Sequence, residues 1–380
     1  MLEQKKEWLR NMNKLIVMYK ENRKNPENTW SGTSYALRKA LEKHTEVIFI
    51  DSTDTPVMTF ISKVYGKLSR TCFAGWVGRI YEFFERKNAG RLLKPYPNLP
   101  VLEICNDVPV ENPYYLYQDL SYANWVEARK RIDALGKKFS GGNLDILSPK
   151  ELNRKVMAQE KLYKMAQKVF YMGRWTTEEM KRKYPQMKET FVHAGGGLNR
   201  DFQVVASDSR NVHQIIFLGI DFERKGGDLV LDAFQILRKT MDPEATLLII
   251  GPEKQAQADG VTWCGRLDRA EIGKILSQSG IFCMPSRFEA YGLAFVEALC
   301  YGLPVIARDD YEMRYFIQEG ENGYLIKNDD AQELAVLMER AINNLQMQTY
   351  VREHAKDYLA AYSWDQVAQK VASTIFAEEL

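Results

Sequence analysis

Strand-like and helix-like segments alternate along almost the whole chain of 380 residues. Short β-branched runs such as Lys14–Tyr19, Glu46–Ile50 and Gln214–Leu218 predict strands, and helical segments follow them. Alternation of this kind places the strands parallel in a sheet, with helices on both faces. The sequence therefore predicts an α/β protein, and its length favours two doubly wound domains that face a cleft.

A glycine-rich, aperiodic stretch, His193–Asn199, is the expected hinge between the two domains. It divides the chain into a first domain at 1–194 and a second domain at 195–361. The three glycines of this stretch lack the frame of a phosphate-binding loop, which favours a hinge over a ligand site.

Composition and spacing exclude several classes of protein. Hydrophobic residues make up 45% of the chain and charged residues 27%, as in soluble globular proteins. The five cysteines form no CxxC pair and the four histidines are scattered, which argues against a structural zinc site. No apolar run approaches the roughly 18 residues that span a bilayer. A cytoplasmic protein is therefore expected, although a basic or lipidated membrane anchor stays open.

Two loops have the composition of phosphate-binding loops, although neither GxGxxG nor GxxxxGK[ST] occurs. Gly32 lies between the first strand and a helix, where it would let the backbone approach a ligand. Gly219 ends a buried strand, and Arg224 and Lys225 then precede two glycines and a helix. Two cations at a helix N-terminus suit a diphosphate. An ordinary exposed basic pair is the alternative.

The most informative segment is Ile281–Glu297, where a strand ends, a turn follows and a helix is predicted to start near Tyr291. Glu289 and Glu297 bracket the start of that helix. Its free N–H groups can hold phosphate or sugar oxygens, and Gly292 leaves room for a ligand. Carboxylates bind paired hydroxyls through strong charge-assisted hydrogen bonds. Two surface glutamates are the alternative, but Glu297 lies in an apolar stretch where an unpaired carboxylate is costly.

This segment resembles the donor-binding motif of family 4 glycosyltransferases, the retaining enzymes of the GT-B fold. The family pattern of two glutamates around aromatic-Gly-Leu is present as EAYGLAFVE at 289–297. The resemblance extends to the WSGT loop at 30–33 and the FLG…RKGG loop at 217–227. It spans most of the chain and is strongest at 214–326. It implies GT-B architecture, with two Rossmann-like domains, and a last helix, 362–380, that packs back onto the first.

The resemblance also implies a nucleotide diphosphate sugar as the donor. Glu297 would bind the ribose hydroxyls and Glu289 the transferred sugar, while Lys225 with Arg224 would stabilise the leaving diphosphate. Further donor contacts are implied for Gly32, Gly219, Ala290, Tyr291, Gly292 and Leu293. No metal is expected, because the cations do that work and no Asp-x-Asp motif occurs. No other cofactor and no nucleic-acid partner are expected.

Departures from the family pattern bear on the site, and one of them replaces the usual Gly-Gly-x-x-Glu around 310–314. Ile220 stands where many members have an arginine that binds the diphosphate, and Arg224 is expected to compensate. Many members carry a histidine at the end of a first-domain strand. Here Tyr117-Gln118-Asp119 occupies that stretch, so Asp119 is the candidate catalytic residue near the acceptor.

The function that follows is transfer of a sugar, with retention, to a hydroxyl acceptor in the synthesis of bacterial-type cell-surface glycans, polysaccharides or glycoconjugates. Two alternatives stay open. One is a non-catalytic, glycosyltransferase-like accessory subunit, which the departures favour slightly. The other is a sugar-nucleotide epimerase of the same fold, for which the expected acid and base side chains are not found.

Charge is distributed unevenly. Residues 1–190 carry 34 Lys and Arg against 22 Asp and Glu, whereas residues 191–380 carry 18 against 28. Part of the basic excess falls in 57–94, where aromatic and aliphatic residues recur at helical spacing. A basic amphipathic helix of this kind can lie on the anionic inner face of a membrane. This prediction suits a lipid-linked acceptor, and a soluble polyanionic glycan would fit the charge equally well. The alternative is that the apolar stripe faces the domain's own core.

Overall fold

The computed structural model describes residues 14–68, 73–105, 107–136, 147–199, 210–253 and 257–377. The chain divides into two compact units. The N-terminal unit holds the described residues up to Leu135, those from 147 to 199 and those from Ser363 onward. The C-terminal unit holds those from 210 to Tyr362.

The N-terminal unit is built on a parallel sheet whose strands lie in the order β2-β1-β3-β4-β5-β6. The strands are β1 (Lys14–Tyr19), β2 (Glu46–Asp51), β3 (Val101–Ile104), β4 (Tyr114–Gln118), β5 (Lys168–Tyr171) and β6 (Phe191–His193). The helices are α1 (Thr33–Leu41), α2 (Pro56–Leu68), α3 (Ala74–Leu93), α4 (Tyr122–Ala134), α5 (Pro149–Met165) and α6 (Arg174–Lys183), with 3-10 segments at Pro26–Gly32 and Pro185–Thr190. The strand order reverses between β1 and β3, which marks a ligand-binding crevice in sheets of this type.

The C-terminal unit has a second parallel sheet in the order β12-β11-β10-β7-β8-β9. Its strands are β7 (Asn211–Leu218), β8 (Thr246–Ile250), β9 (Val261–Gly265), β10 (Ser279–Met284), β11 (Val305–Arg308) and β12 (Gly323–Ile326). Its helices are α7 (Gly227–Thr240), α8 (Arg269–Gln278), α9 (Leu293–Cys300), α10 (Met313–Phe316), α11 (Ala331–Asn343), α12 (Leu345–Glu353) and α13 (Ala355–Ala361). This is the strand order of a dinucleotide-binding Rossmann sheet, with its switch point between β7 and β10.

The central strands are apolar on both faces because helices cover both sides of each sheet. Leu15 to Met18 in β1 and Ile215 to Phe217 in β7 are fully buried. The predicted class, α/β with two doubly wound domains, is confirmed.

The last helix, α14 (Trp364–Ala377), belongs to the N-terminal unit and packs against α1. Val367, Val371 and Ile375 on its apolar face are buried. The indole Nε1 of Trp364 donates to Asn199 Oδ1 at 2.8 Å, so the start of this helix is tied to the end of the segment 147–199.

The basic stretch 57–94 forms two helices, α2 and α3, with residues 69–72 outside the described part of the chain. One face of α3 is in the core, since Val77 is 5% exposed. The aromatic side chains of Phe60, Trp76 and Phe83, in contrast, are 60–68% exposed. The apolar residues of this stretch are therefore divided between the core and the surface. Among the described residues, no helix is both long and apolar enough to cross a bilayer.

Candidate active site

The loop after β7 is folded so that Lys225 lies across Gly219. A Cβ added to Gly219 would stand 2.2 Å from Lys225 Cδ, so this position has no room for a side chain. Gly226 has φ 77° and ends the loop at the start of α7. A Cβ on Gly226 would stand 2.6 Å from the carbonyl oxygen of Pro285. These two glycines therefore bring the loop after β7 against the loop after β10.

Hydrogen bonds hold the two loops together. The backbone N–H of Arg287 donates to the carbonyl of Arg224 at 2.8 Å. In the other direction, Arg224 Nη1 donates to the carbonyl of Phe288 at 2.7 Å, and Arg224 Nε donates to Asp221 Oδ2 at 2.8 Å. Because β7 and β10 flank the switch point, the joined loops form the floor of the crevice where ligands bind in such sheets.

An ion pair occupies this floor. Lys225 Nζ lies 2.9 Å from Glu289 Oε1, and a guanidinium nitrogen of Arg224 lies 3.6 Å from the same oxygen. The hydroxyl of Ser286 also donates to this oxygen, at 3.0 Å. Burial opposes ionisation of Glu289, but the charges of Lys225 and Arg224 outweigh it and lower the pKa of the carboxyl. Glu289 is therefore a carboxylate at neutral pH.

The start of α9 completes the site. Gly292 caps the helix with φ 95°. The N–H groups of Gly292 and Leu293 lie at the start of the helix, where no carbonyl of the helix lies four residues before them to accept a hydrogen bond. Tyr291 is 5% exposed, and its ring packs edge-on against Phe316 at 5.3 Å between centroids. Glu297, on the same helix, is 7% exposed. The helix is predicted to start near Tyr291 and is observed to start at Leu293, with Ala290 in the turn before it.

A second charged cluster contacts the same loops. This cluster was not predicted from the sequence. The guanidinium of Arg287, whose side chain is 2% exposed, contacts Asp228 Oδ1 at 2.7 Å and Asp329 Oδ2 at 2.7 Å. It also donates to the carbonyl of Glu223, and Arg308 pairs with Asp329. These contacts join the loops after β7, β10 and β12. The sequence signal was Arg287 itself, an arginine in a turn that follows a fully apolar strand.

Gly32 and Asp119, the predicted site residues outside this cluster, belong to the N-terminal unit. Gly32 has φ 97°, and the two residues before it are also left-handed. Asn199 Nδ2 donates to the carbonyl of Ser31 at 2.9 Å and holds this turn in place. Asp119 follows β4, and its carboxylate accepts from the N–H of Leu120 at 2.7 Å. Burial raises the pKa of Asp119 to about 6.

The structure thus brings Gly219, Arg224, Lys225, Glu289 and Gly292 together at one switch point. The exposed side chain of Ile220 (63%) stands beside them, and Arg224, expected to compensate for it, is held by Asp221 and Phe288. Among the described residues, no group of three His, Cys, Asp or Glu side chains is arranged to hold a metal ion.

Comparisons with known proteins bear on the family and the fold. Residues 201–358 match the family model "Glycosyl transferases group 1". The phosphatidyl-myo-inositol mannosyltransferase of Mycobacterium leprae (strain TN) is 30% identical over 168 residues, which are 41% of this chain and 44% of that protein. The matched part thus spans less than half the length of the curated relatives.

Two solved structures resemble the fold over nearly the whole chain. WaaG, a glycosyltransferase involved in lipopolysaccharide biosynthesis, has a TM-score of 0.61 at 16% identity and covers 95% of this chain and 99% of its own. Anabaena Alr3699/HepE, solved in complex with UDP and glucose, has a TM-score of 0.54 at 15% identity and covers 96% and 100%. At these identities the likeness shows the fold.

The two parallel sheets, together with this likeness, define the GT-B fold of two-domain glycosyltransferases. Residues 201–358, less than half of the chain, are similar to the glycosyl transferases group 1 family. The resemblance predicted from the sequence is confirmed.

Proposed function

We propose that this protein is a retaining glycosyltransferase that transfers a sugar from a nucleotide diphosphate sugar to a hydroxyl of an acceptor. The observation that carries the proposal is the ion pair between Lys225 and Glu289 at the switch point of the C-terminal unit. It places a cation suited to a diphosphate beside a carboxylate suited to sugar hydroxyls.

The donor would exchange this internal ion pair for its own contacts. Lys225 and Arg224 would bind the diphosphate, and the N–H groups at the start of α9 would add further donors. Glu289 would accept hydrogen bonds from the transferred sugar, and Glu297 from the ribose. No metal or other cofactor is required in this proposal, because two cations and a helix N-terminus neutralise the charge that develops on the leaving group.

The reaction breaks the bond between the anomeric carbon and the diphosphate oxygen and forms a bond from that carbon to the acceptor oxygen. For retention we propose front-face displacement, with a phosphate oxygen of the departing diphosphate taking the acceptor proton. Catalysis then consists of positioning and charge stabilisation. Asp119 would lie near the acceptor hydroxyl. Its pKa is raised to about 6, so its carboxyl group would be partly protonated near that pH.

The functions of similar proteins support a role in bacterial glycan synthesis. WaaG acts in lipopolysaccharide biosynthesis, and the mycobacterial relative is a phosphatidyl-myo-inositol mannosyltransferase. Alr3699/HepE was solved with UDP and glucose. We therefore propose a nucleotide-sugar donor and a glycan or lipid-linked acceptor.

We also propose that α2 and α3 rest on an anionic membrane surface at its cytoplasmic face. Phe60, Trp76 and Phe83 are exposed there, and Lys63 and Lys67 have no ion-pair partner among the described residues. Exposed aromatics with basic residues around them favour the interface of an anionic bilayer. The polyanionic soluble acceptor is the competing explanation of the charge.

The test is incubation of the purified protein with labelled UDP-, GDP- and dTDP-sugars, with and without lipid or glycan acceptors. Transfer to the acceptor with an unchanged anomeric configuration, undiminished by EDTA, would support the proposal. Epimerisation of the donor without acceptor would instead identify an epimerase. An accessory subunit would give no product with any donor, and inversion would contradict the retaining mechanism.

A further inference from the structure

The N-terminal unit contains a cavity of about 790 Å³ at its own switch point. Lys20, which follows β1, and Cys105 and Asp107, which follow β3, line one end of it. Helices α3 and α5 form its walls. Doubly wound sheets bind ligands beyond the carboxyl ends of the strands at this place. The volume lies in the range of pockets that hold small molecules.

The cavity is lined by six cationic side chains and four carboxylates, and three of the cations are not ion-paired within the described part of the chain. The paired cations are Lys20 with Glu85 and Asp54, Arg154 with Glu82 and Glu151, and Lys155 with Glu82. Arg79, Arg86 and Lys161 also line the cavity but have no ion-pair partner among the described residues.

The acidic side chains of the cavity only partly offset these cations. Asp107 accepts hydrogen bonds from Gln159 Nε2 at 3.1 and 3.2 Å. Glu111 is a further lining carboxylate. Three free cations against these two acids still favour an anionic ligand, and phosphate is the anion that arginines recognise best.

A second wall of the cavity is apolar and continues to the protein surface. Val108 and Val110 line the cavity and are buried, and Met157 and Met165 of α5 also line it. Met157 is 63% exposed and Met165 is 54% exposed, although both are large apolar side chains. An anion alone would leave these apolar side chains exposed to water, whereas a ligand with an attached hydrocarbon chain would cover them.

Helix α3 connects the cavity with the exposed aromatic surface. Arg79 and Arg86 line the cavity, and Trp76 and Phe83 are exposed. The four positions follow a spacing of three or four residues and therefore share one face of the helix. An amphiphile held at the surface by the aromatics would have its charged end beside the free arginines.

We propose that this cavity binds the phosphorylated end of an amphiphilic acceptor, with the phosphate on Arg79, Arg86 and Lys161 and the adjoining hydrocarbon chain along Met157 and Met165. This inference rests on the proposed function, because it identifies the acceptor class of the transferase. It favours a phosphate-bearing lipid-linked acceptor over a soluble polyanionic glycan.

The test is calorimetric titration of the full chain with three probes: octyl phosphate below its micellar concentration, octyl glucoside and inorganic phosphate. We expect octyl phosphate to bind at least tenfold more tightly than either of the others. The combined variant Arg79→Gln, Arg86→Gln, Lys161→Gln should lose at least tenfold in affinity for octyl phosphate. Lys150→Gln is the matched control, since Lys150 lies on the same helix as Lys161 and does not line the cavity.

If octyl glucoside bound as tightly as octyl phosphate, the proposed recognition of a phosphate would be wrong. If inorganic phosphate bound as tightly as octyl phosphate, the proposed recognition of a hydrocarbon chain would be wrong. Wild-type affinity of the triple variant for octyl phosphate would overturn the site itself. Nucleotide-sugar binding is measured on the same samples. If the protein bound octyl phosphate but no nucleotide sugar, the proposed transferase function would be contradicted, whereas the proposed ligand class of the cavity would still stand.

Discussion

At the scale of single residues, the candidate site depends on a few close contacts around one carboxylate. Glu289 is kept ionised by Lys225 and Arg224 and is held by the Ser286 hydroxyl. The two glutamates are expected to act at different stages, because one would contact the reacting sugar and the other the nucleotide.

Glu297→Ala is expected to raise the donor KM at least tenfold with a smaller change in kcat, because a ribose contact persists through the reaction. Glu289→Ala is expected to lower kcat more, because the sugar contact changes as the anomeric centre distorts. Steady-state kinetics with varied donor separates the two effects. Wild-type constants for both variants would show that the assignment is wrong.

Gly219→Ala tests whether the position of Lys225 matters. The added methyl group would overlap Lys225 Cδ, so the Lys225 side chain must shift, and we expect its contact with Glu289 to be disturbed. We expect a loss of roughly tenfold or more in kcat/KM, about 1.4 kcal/mol, with the fold retained. Gly90→Ala is the control, because a Cβ there meets no atom within 4 Å. Equal activity of the two variants would mean that Lys225 has no fixed role.

Asp119 should give the protein a measurable pH dependence. Its pKa is about 6 in the folded state against 3.8 normally, so the native state binds more protons between these values. Stability therefore falls as pH rises through this window. Asp119→Asn removes this pH-dependent loss, so its free energy of unfolding should rise by roughly 1–2 kcal/mol relative to that of wild type between pH 5 and 7.5. A difference in Tm that stays constant over this range would contradict the burial of the charge.

At the scale of secondary-structure elements, α2 and α3 carry the next prediction. The protein should bind vesicles that contain anionic lipids and should release them as salt rises. Trp76→Ser with Phe83→Ser should weaken this binding at least tenfold, because two exposed aromatic anchors are lost. Leu345→Ser, in the C-terminal unit, is the control, since Leu345 is 63% exposed. If no protein sedimented with the vesicles at low ionic strength, the proposed membrane-binding surface would be contradicted.

The elements also show what a sequence can and cannot reveal. The central strands are predicted because they are continuous apolar runs. The sequence pattern does not predict β6 and β12, which are short edge strands of three and four residues. Likewise, helical spacing in 57–94 predicts helices but not which face is buried. That depends on which side of the sheet the chain returns to.

At the scale of the whole molecule, the site motifs were predictable because each is local in sequence. The EAYGLAFVE segment and the RKGG loop can each be recognised from their composition and from their position after a predicted strand. The contact between them was not readable from either alone, since Lys225 and Glu289 meet only because β7 and β10 are neighbours. The same holds for Arg287, whose partners Asp228 and Asp329 are distant in sequence.

The most direct measurement of the central claim is a thermal-shift titration with UDP-, GDP- and dTDP-sugars on wild type, Lys225→Ala and Lys239→Ala. Lys239 is an exposed control at the far end of α7. A ligand at 100 times its Kd stabilises the native state by about 2.7 kcal/mol, so at least one nucleotide sugar should raise the Tm of wild type by several degrees. Lys225→Ala should lose most of this shift, and Lys239→Ala should keep it. No shift with any nucleotide sugar, or an undiminished shift in Lys225→Ala, would contradict a donor site built on Lys225 and Glu289.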